Sequence, residues 1–599
     1  MAPRPAAPWS ERLPAMTGCS AYTAVSHRTR SIRVFANCRS RTMGRPSSFI
    51  KPRPAGPNRR AFFRRSGAAA AVALVAGSGV VSAAPAPVFQ HGVASGDPLA
   101  DRVILWTRVT PRALREALPV RWEMALDPGF AQVVRRGIVR TEAERDFTVK
   151  VDAAGLKPAT TYYYRFMAAG ATSPVGRTRT LPSGATNRLR IAFASCSNLA
   201  SGYFNAYARI AERADLDLVV HLGDYLYEYG PDEYGSLRVH EPPREMVSLS
   251  DYRQRHAQYK RDADLQALHR QHPVVCIWDD HEVANDSWVN GAENHTEGTE
   301  GAWSGRVDAA LQAYYEWMPV RQPDPAQPRR QQRSFGLGDL VDLVMLEERL
   351  GARSQQLAAT VPTPFGNGFV QAGAFADASR TLLGSDEEAW LAQRLRASTA
   401  RWKLVGQGVM FAPLKIQGAP LSAGGGVFVN PDQWDGYQPA RDRVFDVLKG
   451  GAGQPAVNNV VVLTGDIHSS WAADLNQDPN NPDVGTGGYD AATGSGSRAV
   501  EFVCTSISSP GLSDPAGSTA AYLHSQNPHF KFIDFNRRGY SLLDITPERV
   551  VCEWWFVDTV VAPSAVQTFG TAFEVRAGTN RLVPSAQTTP PANPPAPAP

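Results

Sequence analysis

Cysteine is scarce, with six in 599 residues. Two of them, Cys19 and Cys38, fall in the N-terminal leader, which leaves Cys196, Cys276, Cys504 and Cys552 for the rest of the chain. That density excludes a disulfide-stapled scaffold. Acidic side chains are nearly missing from residues 1–66, where 14 Lys and Arg face one Glu. Removing that segment from the totals of 62 basic and 57 acidic residues leaves 48 and 56, a net of −8. The overall +5 therefore belongs to the leader. The mildly acidic body argues against a nucleic-acid binder that works through bulk charge. Glycine has no triplet period, which excludes collagen, and a 43% hydrophobic content excludes a disordered chain. The length suits two or three domains with a sizeable core.

A convincing membrane span is lacking too. The uncharged run from Gly67 to Ala84 is short for a bilayer and rich in Ala and Gly rather than Leu or Ile. It follows Asn58-Arg59-Arg60-Ala61-Phe62-Phe63-Arg64-Arg65 and ends in Ser82-Ala83-Ala84-Pro85-Ala86. Basic region, apolar region and small-residue cleavage site are the order of an export signal. The pair Arg59-Arg60 with Phe62-Phe63 resembles a twin-arginine signal. Residues 1–86 are therefore read as a leader with a cleaved signal and no stable membrane anchor. The twin-arginine machinery is the expected partner, and the mature protein is expected in the periplasm or outside the cell. Residues 1–42 sit upstream of that signal and are read as a mis-assigned start. Translation from Met43 would place the arginine pair within about 20 residues of the N-terminus, as such signals require. Twin-arginine export carries folded proteins, which suits one that acquires a metal before export.

Residues 87–182 read as a small β-sandwich of fibronectin or immunoglobulin type. Val103–Val109, Arg121–Leu126, Phe147–Val151 and Tyr162–Phe166 are strand-like runs separated by turns such as Asp127-Pro128-Gly129. Leu181–Thr186 reads as a linker. From 187 to 562 the pattern is α/β. Leu189–Ala194, Leu216–Leu222, Pro273–Trp278, Asp339–Leu346, Lys403–Val405 and Val460–Thr464 are apolar runs that each end in polar or ionisable residues. In an open α/β sheet ligands bind at the carboxyl ends of strands, so these ends are expected to converge. Residues 563–599 read as a C-terminal extension ending in a disordered Pro/Ala tail.

Five strand ends carry the chemistry. Cys196 offers a thiolate, Asp224 a carboxylate and Tyr227 a phenolate. Asp279, Asp280, His281 and Asn285 offer carboxylates, an imidazole and an amide. Arg349 offers a guanidinium, and Asp466 and His468 a carboxylate and an imidazole. Singly, each has a plainer reading: a helix cap for an Asp, a buried small hydrophobe for Cys196, a core residue for Tyr227. After successive strands of one unit, those plainer readings would require five coincidences.

The motifs Phe193-Ala-Ser-Cys196, His221-Leu-Gly-Asp-Tyr-Leu-Tyr-Glu228, Trp278-Asp-Asp-His-Glu282 and Leu463-Thr-Gly-Asp-Ile-His-Ser-Ser-Trp471 resemble those of PhoD-type alkaline phosphatases. So do His91–Pro98, Asp432–Tyr437 and Phe556–Thr559. The resemblance spans about residues 88–562. It implies a twin-arginine-exported metallophosphoesterase with a calcineurin-like core, two β-sheets flanked by helices, behind the N-terminal sandwich. It also implies a ferric iron (Fe3+) and calcium, and hydrolysis of phosphate esters by metal-activated hydroxide.

The donor types agree with that resemblance. Thiolate from Cys196 and phenolate from Tyr227 favour a trivalent iron, with Asp224 able to bridge to a second metal. By resemblance Asp466 and His468 complete the iron site. Asp280 and Asn285 supply hard oxygen donors that suit calcium. Arg349 is expected to neutralise the phosphate through bidentate hydrogen bonds, and His281 to protonate the leaving oxygen. Two stretches depart from the family pattern. Glu347-Glu348-Arg349 stands where an Asp-Thr-Arg triplet is usual, and Gly406-Gln407-Gly408 where an Asn-Gln pair is usual. Glu282 is read as a partner of ligands rather than a ligand. The alternatives are a phosphodiesterase or phospholipase D-like hydrolase using the same metals, and a secreted binding protein with an inactive site.

Overall fold

The computed structural model describes residues 87–111, 117–451 and 453–599. The expected signal, the Met43 start, Cys19 and Cys38 lie outside the described residues.

Strands Leu189–Ala194, Leu218–Leu222 and Pro273–Ile277 run parallel, and every residue in them is buried. Apolar side chains on both faces are what a parallel strand covered on both sides requires. A second sheet of seven strands has Val341–Met345, Trp402–Gln407, Val460–Thr464 and Ala499–Val503 in parallel at its centre. The two sheets pack face to face. Ile191, Phe193, Val220 and Val275 of the first meet Leu343, Leu404, Leu463 and Phe502 of the second in one core. Helices Leu249–Tyr259, Ala263–Gln271 and Trp303–Trp317 cover the outer face of the first sheet. Helices Gly384–Ala397 and Gln438–Lys449 cover that of the second. The result is the expected α/β fold of two sheets flanked by helices.

The helix Leu249–Tyr259 shows how local sequence serves the site. Ser248 and Asp251 form a reciprocal capping box at its start. From its buried face Arg255 donates to the carbonyl oxygens of Tyr227 and, at 3.1 Å, Tyr229. The helix thus holds the segment that carries Tyr227.

The N-terminal sandwich is present, but it is not a separate bead. Its outer layer is Leu118–Ala125, Val133–Thr141, Thr161–Ala168, Ala171–Thr172 and Gly176–Arg179. Its inner layer is Val93–Gly96, Arg102–Arg108 and Thr148–Ala154, which continue the first core sheet through the parallel pairs Ser95–Pro273 and Gly96–Val274. Alternating Tyr162, Tyr164 and Phe166 pack on Val103, Leu105 and Val149 between the layers.

The C-terminal region differs from expectation. Residues 563–584 are not an appendage: Gln567–Arg576 and Leu582–Pro584 extend the first sheet beyond Arg538–Ile545 and Arg549–Val557. The tail after Pro584, expected as disordered, lies along the surface in contact with both domains. The Thr588 N–H donates to Glu553 at 2.6 Å, and Tyr163 Oη donates to the Ala596 carbonyl at 2.6 Å. Gln271 both donates to and accepts from the Ala598 backbone at 2.9 Å. Composition reports how little a Pro/Ala segment can bury by itself. It does not report that an extended chain, with no internal hydrogen bonds to satisfy, can lie in a groove that supplies donors. Among the described residues no helix is long and apolar enough to cross a membrane.

Candidate metal centre and active site

The expected ligands all follow carboxyl ends of core strands, and four of them bend the backbone there. Cys196, Asp224, Asp466 and His468 have φ of +62°, +54°, +60° and +56°. Non-glycine residues rarely adopt that region, at a cost of about 1–3 kcal/mol each. Gly223, at φ +94°, shows why the turns are tight. A Cβ there would lie 2.4 Å from that of Asp279. Only glycine lets these two strand ends close.

The bends aim the side chains at one place. Cys196, Asp224 and His468 offer ligand atoms within 4.8 Å of one another. So do Asp224, Asp280 and His281, and so do Asp224, Asp279 and Asp466. Asp224 belongs to all three groups, which is the position of a bridging carboxylate. Tyr227 Oη donates to Asp224 at 3.0 Å, lies 3.1 Å from His468 Nε2, and accepts from Ser509 Oγ at 2.7 Å.

The tautomer of His468 is set by its surroundings. Nδ1 lies 2.7 Å from the Pro510 carbonyl, which can only accept, so Nδ1 carries the proton. Nε2 then presents its lone pair to the cluster, as a metal-ligating imidazole does. Burial, reinforced by the Asp224 charge, pushes the pKa values of Cys196 and Tyr227 well above their ordinary values. A buried thiol and phenol beside a carboxylate release their protons only to a compensating cation. Sulfur, phenol oxygen, imidazole and carboxylates in one pocket fit such a cation. The all-carboxylate group around Asp224, Asp279 and Asp466 fits a second, harder one.

His281 is held by Glu228, whose Oε2 lies 2.7 Å from Nδ1. Oε1 of the same carboxylate accepts from the Asn285 backbone at 2.7 Å and from Asn294 Nδ2 at 2.9 Å. Burial alone would raise the Glu228 pKa, but His281 and these donors outweigh it and hold it below the usual value. His281, Asn285, Asp224, Asp466 and His468 line one cavity, together with the apolar Leu414, Val429, Ile467, Leu512 and Phe535.

Arg349 is fully buried and is not among the residues that line the cavity. Its Nε donates to Asp279, and Nη1 donates to both oxygens of Asp432 at 2.9 and 3.0 Å. Nη2 lies 3.9 Å from Asp280 and 3.8 Å from Asp466. Crowded carboxylates draw the guanidinium beneath themselves, because a buried charge must be paired. In this structure Arg349 thus pairs with the acidic cluster, while the phosphate clamp stays an expectation.

The sequence profile of PhoD-like phosphatases matches residues 191–554, and that of their N-terminal domain matches residues 75–182. The chain belongs to the PhoD-like phosphatase family. Alkaline phosphatase D of Bacillus subtilis (strain 168) is 38% identical over 531 residues, covering 85% of this chain and 86% of that enzyme. The solved structure of PhoD aligns with a TM-score of 0.73 at 36% identity, covering 84% of this chain and 92% of that one. A PhoD-like phosphatase is a phosphoric ester hydrolase, and its acidic and histidine clusters here are groups that could hold metal ions.

Several residues of this PhoD-like site escaped sequence reasoning. Asp279 was visible in Asp-Asp-His and Glu228 in its motif, but neither had a partner until the fold was known. Asp432 was visible in the run Asp432–Tyr437 but without a role, and Ser509 and Pro510 come from a loop whose spacing carries no signal. Glu282 accepts from the backbone N–H groups of Asp224, Tyr225 and Asp279 at 3.2, 2.6 and 2.8 Å, and so shapes the turns. The two departures from the family pattern meet in space. Glu348 accepts from the N–H groups of Gly408 and Val409 at 2.8 and 3.1 Å and from Trp434 Nε1 at 3.0 Å. A Cβ on Gly408 would lie 2.7 Å from Asp279 Oδ1, so glycine makes room for that carboxylate. Gln407 donates to the Val409 carbonyl at 2.8 Å and does not line the cavity.

Proposed function

We propose that this PhoD-like phosphatase is an exported, metal-dependent alkaline phosphatase that cleaves phosphate esters. The observation that carries the reading is His468. Its proton is committed to Pro510, and Nε2 is left to a pocket already holding Cys196, Tyr227 and Asp224. Cys196, Asp224, Tyr227 and His468 would hold ferric iron, and Asp466, expected with them, groups instead with Asp224 and Asp279. Asp280 and Asn285, joined by Asp279, would hold calcium. Such cations, when bound, polarise phosphate oxygens and acidify water.

The residues of the chain do the rest. Four aspartates would repel a phosphate dianion, so the cavity becomes a phosphate site only when they are neutralised. Arg349 supplies part of that neutralisation from behind. His281, with Nδ1 committed to Glu228, uses Nε2 to give a proton to the leaving alcohol oxygen. The apolar residues of the lining lower the local polarity beside these charges and so strengthen their interactions. Export by the twin-arginine route, with release into the periplasm or the medium, is supported by the order of Arg59-Arg60, the apolar run and the small-residue site.

The test is turnover of a nitrophenyl phosphate monoester and its diester, with and without added calcium, beside metal analysis of the purified protein. Phosphate release that depends on calcium, with iron present, is expected. No release from either ester by metal-replete protein overturns the reading.

A further inference from the structure

The cavity at the ligand cluster is lined by two kinds of side chain. Asp224, His281, Asp466 and His468, with Tyr234 and the amides Asn285 and Asn430, are polar; Leu414, Val429, Ile467, Leu512 and Phe535 are apolar. Together these side chains surround a narrow cleft that opens to solvent. Among the described residues that line it there is no lysine or arginine. Arg538, whose Nη2 packs against Gly511 of the lining, is held by backbone through its other two nitrogens. Its Nε donates to the Ser509 carbonyl at 2.8 Å and its Nη1 to those of Phe535 and Arg537 at 3.2 Å. Arg349 is committed to carboxylates.

The apolar lining is anchored to the polar residues. Ile467 lies between Asp466 and His468 in the chain, so its position is set by two ligands. Leu512 follows the segment in which Ser509 donates to Tyr227 and Pro510 accepts from His468. Leu414 is fully buried. Its N–H donates at 2.9 Å to Asp435, which is itself paired with Arg441. Ile467 and Leu512 remain partly exposed beside groups that are otherwise polar. Whatever alcohol is joined to a phosphate at the cluster must lie against these side chains. An apolar group there leaves water favourably, whereas a further anion would be desolvated with no partner.

We propose that this wall selects phosphate esters whose alcohol part is uncharged and apolar, alkyl or aryl, over esters that carry further anionic groups. The inference rests on the phosphatase reading and adds the substrate class to it. Specificity lies in Ile467, Leu512 and Phe535 rather than in any positively charged recognition group.

The experiment uses the metal-replete protein and a series with one leaving-group chemistry: n-propyl phosphate, n-hexyl phosphate and hexane-1,6-diyl bisphosphate. kcat/KM should rise about fourfold for each methylene that reaches the wall, from the transfer free energy of a methylene. The bisphosphate, with the same chain and a second dianion, should fall at least tenfold below hexyl phosphate. Leu512→Lys should raise the ratio of bisphosphate to hexyl phosphate by at least tenfold, since it puts a cation where none stands. Release of phosphate without dependence on chain length or on the second anion would sink this inference alone. Release from none of the esters would sink the phosphatase reading and this inference with it.

Discussion

Glu228 Oε2 stands 2.7 Å from His281 Nδ1, and both residues are buried. A carboxylate on Nδ1 selects the tautomer whose Nε2 is available and steadies the imidazole when it carries a proton.

Glu228→Gln keeps the shape but can offer an amide N–H to Nδ1, which favours the wrong tautomer. For alkyl phosphates kcat should fall on the order of 10²–10⁴-fold, the range of general acid catalysis. For nitrophenyl phosphate, whose leaving group barely needs a proton, the loss should be small. Competitive inhibition by inorganic phosphate should change little. Equal losses on both ester types would show that the pair serves as a metal ligand and its support. That is the other chemistry open to His281, given its place beside Asp224 and Asp280.

Arg349 lies beneath the carboxylates, so its removal should be felt by the metals before the substrate. Arg349→Ala leaves Asp279 buried without its cation and Asp432 with Arg353 alone, and breaking a buried pair costs about 3–5 kcal/mol. A lowered Tm and reduced metal content are expected, with a phosphate inhibition constant near that of the wild type once metal is restored. A selective rise in that constant, at full metal content, would support the phosphate-clamp role.

The metal assignment predicts colour. Thiolate and phenolate on ferric iron give a visible charge-transfer band, whereas zinc with its full d shell gives none. Cys196→Ala should shift or weaken the band and lower iron content. Mild chelation should remove calcium and activity before the protein unfolds, because oxygen-ligated calcium exchanges more readily than thiolate-bound iron. A colourless, fully active zinc protein would refute the iron assignment.

Lys260 gives stability a pH dependence away from the site. It is buried, 2.9 Å from His269 Nε2, and burial lowers its pKa to about 7. Between about 7 and the ordinary 10.5 the unfolded chain holds a proton that the native chain lacks. Stability from this group therefore rises with pH across that window. Lys260→Met should raise Tm by a few degrees at pH 7, and the gain should fade as pH passes about 10. Calorimetry at both values checks it. An equal gain at both would assign the effect to packing.

Much of the site was legible in the order of residues. Cys196, Asp224, Tyr227, Asp280, His281, Asn285, Asp466 and His468 each follow an apolar run. A run too apolar to be half-exposed must be a buried strand, whose end is where side chains can reach a ligand. Glycines before Asp224 and Asp466 marked tight turns without saying what crowded them. What the order of residues could not contain is direction and company. Arg349 ends a strand as a phosphate clamp would, yet the electrostatic demand of Asp279, Asp280, Asp432 and Asp466 decides which way its guanidinium turns. The partners that set proton positions, Glu228 for His281 and Pro510 for His468, lie 53 and 42 residues away in sequence. Only the parallel pairing of strands distant in sequence brings them together, Leu218–Leu222 beside Pro273–Ile277 in the first sheet and Val460–Thr464 beside Ala499–Val503 in the second. The tail after Pro584 is the same lesson: its composition was read as disorder, but the groove that receives it belongs to Tyr163, Gln271 and Glu553. Local physics sets which residues a strand end can offer, and long-range packing sets which charges face one another.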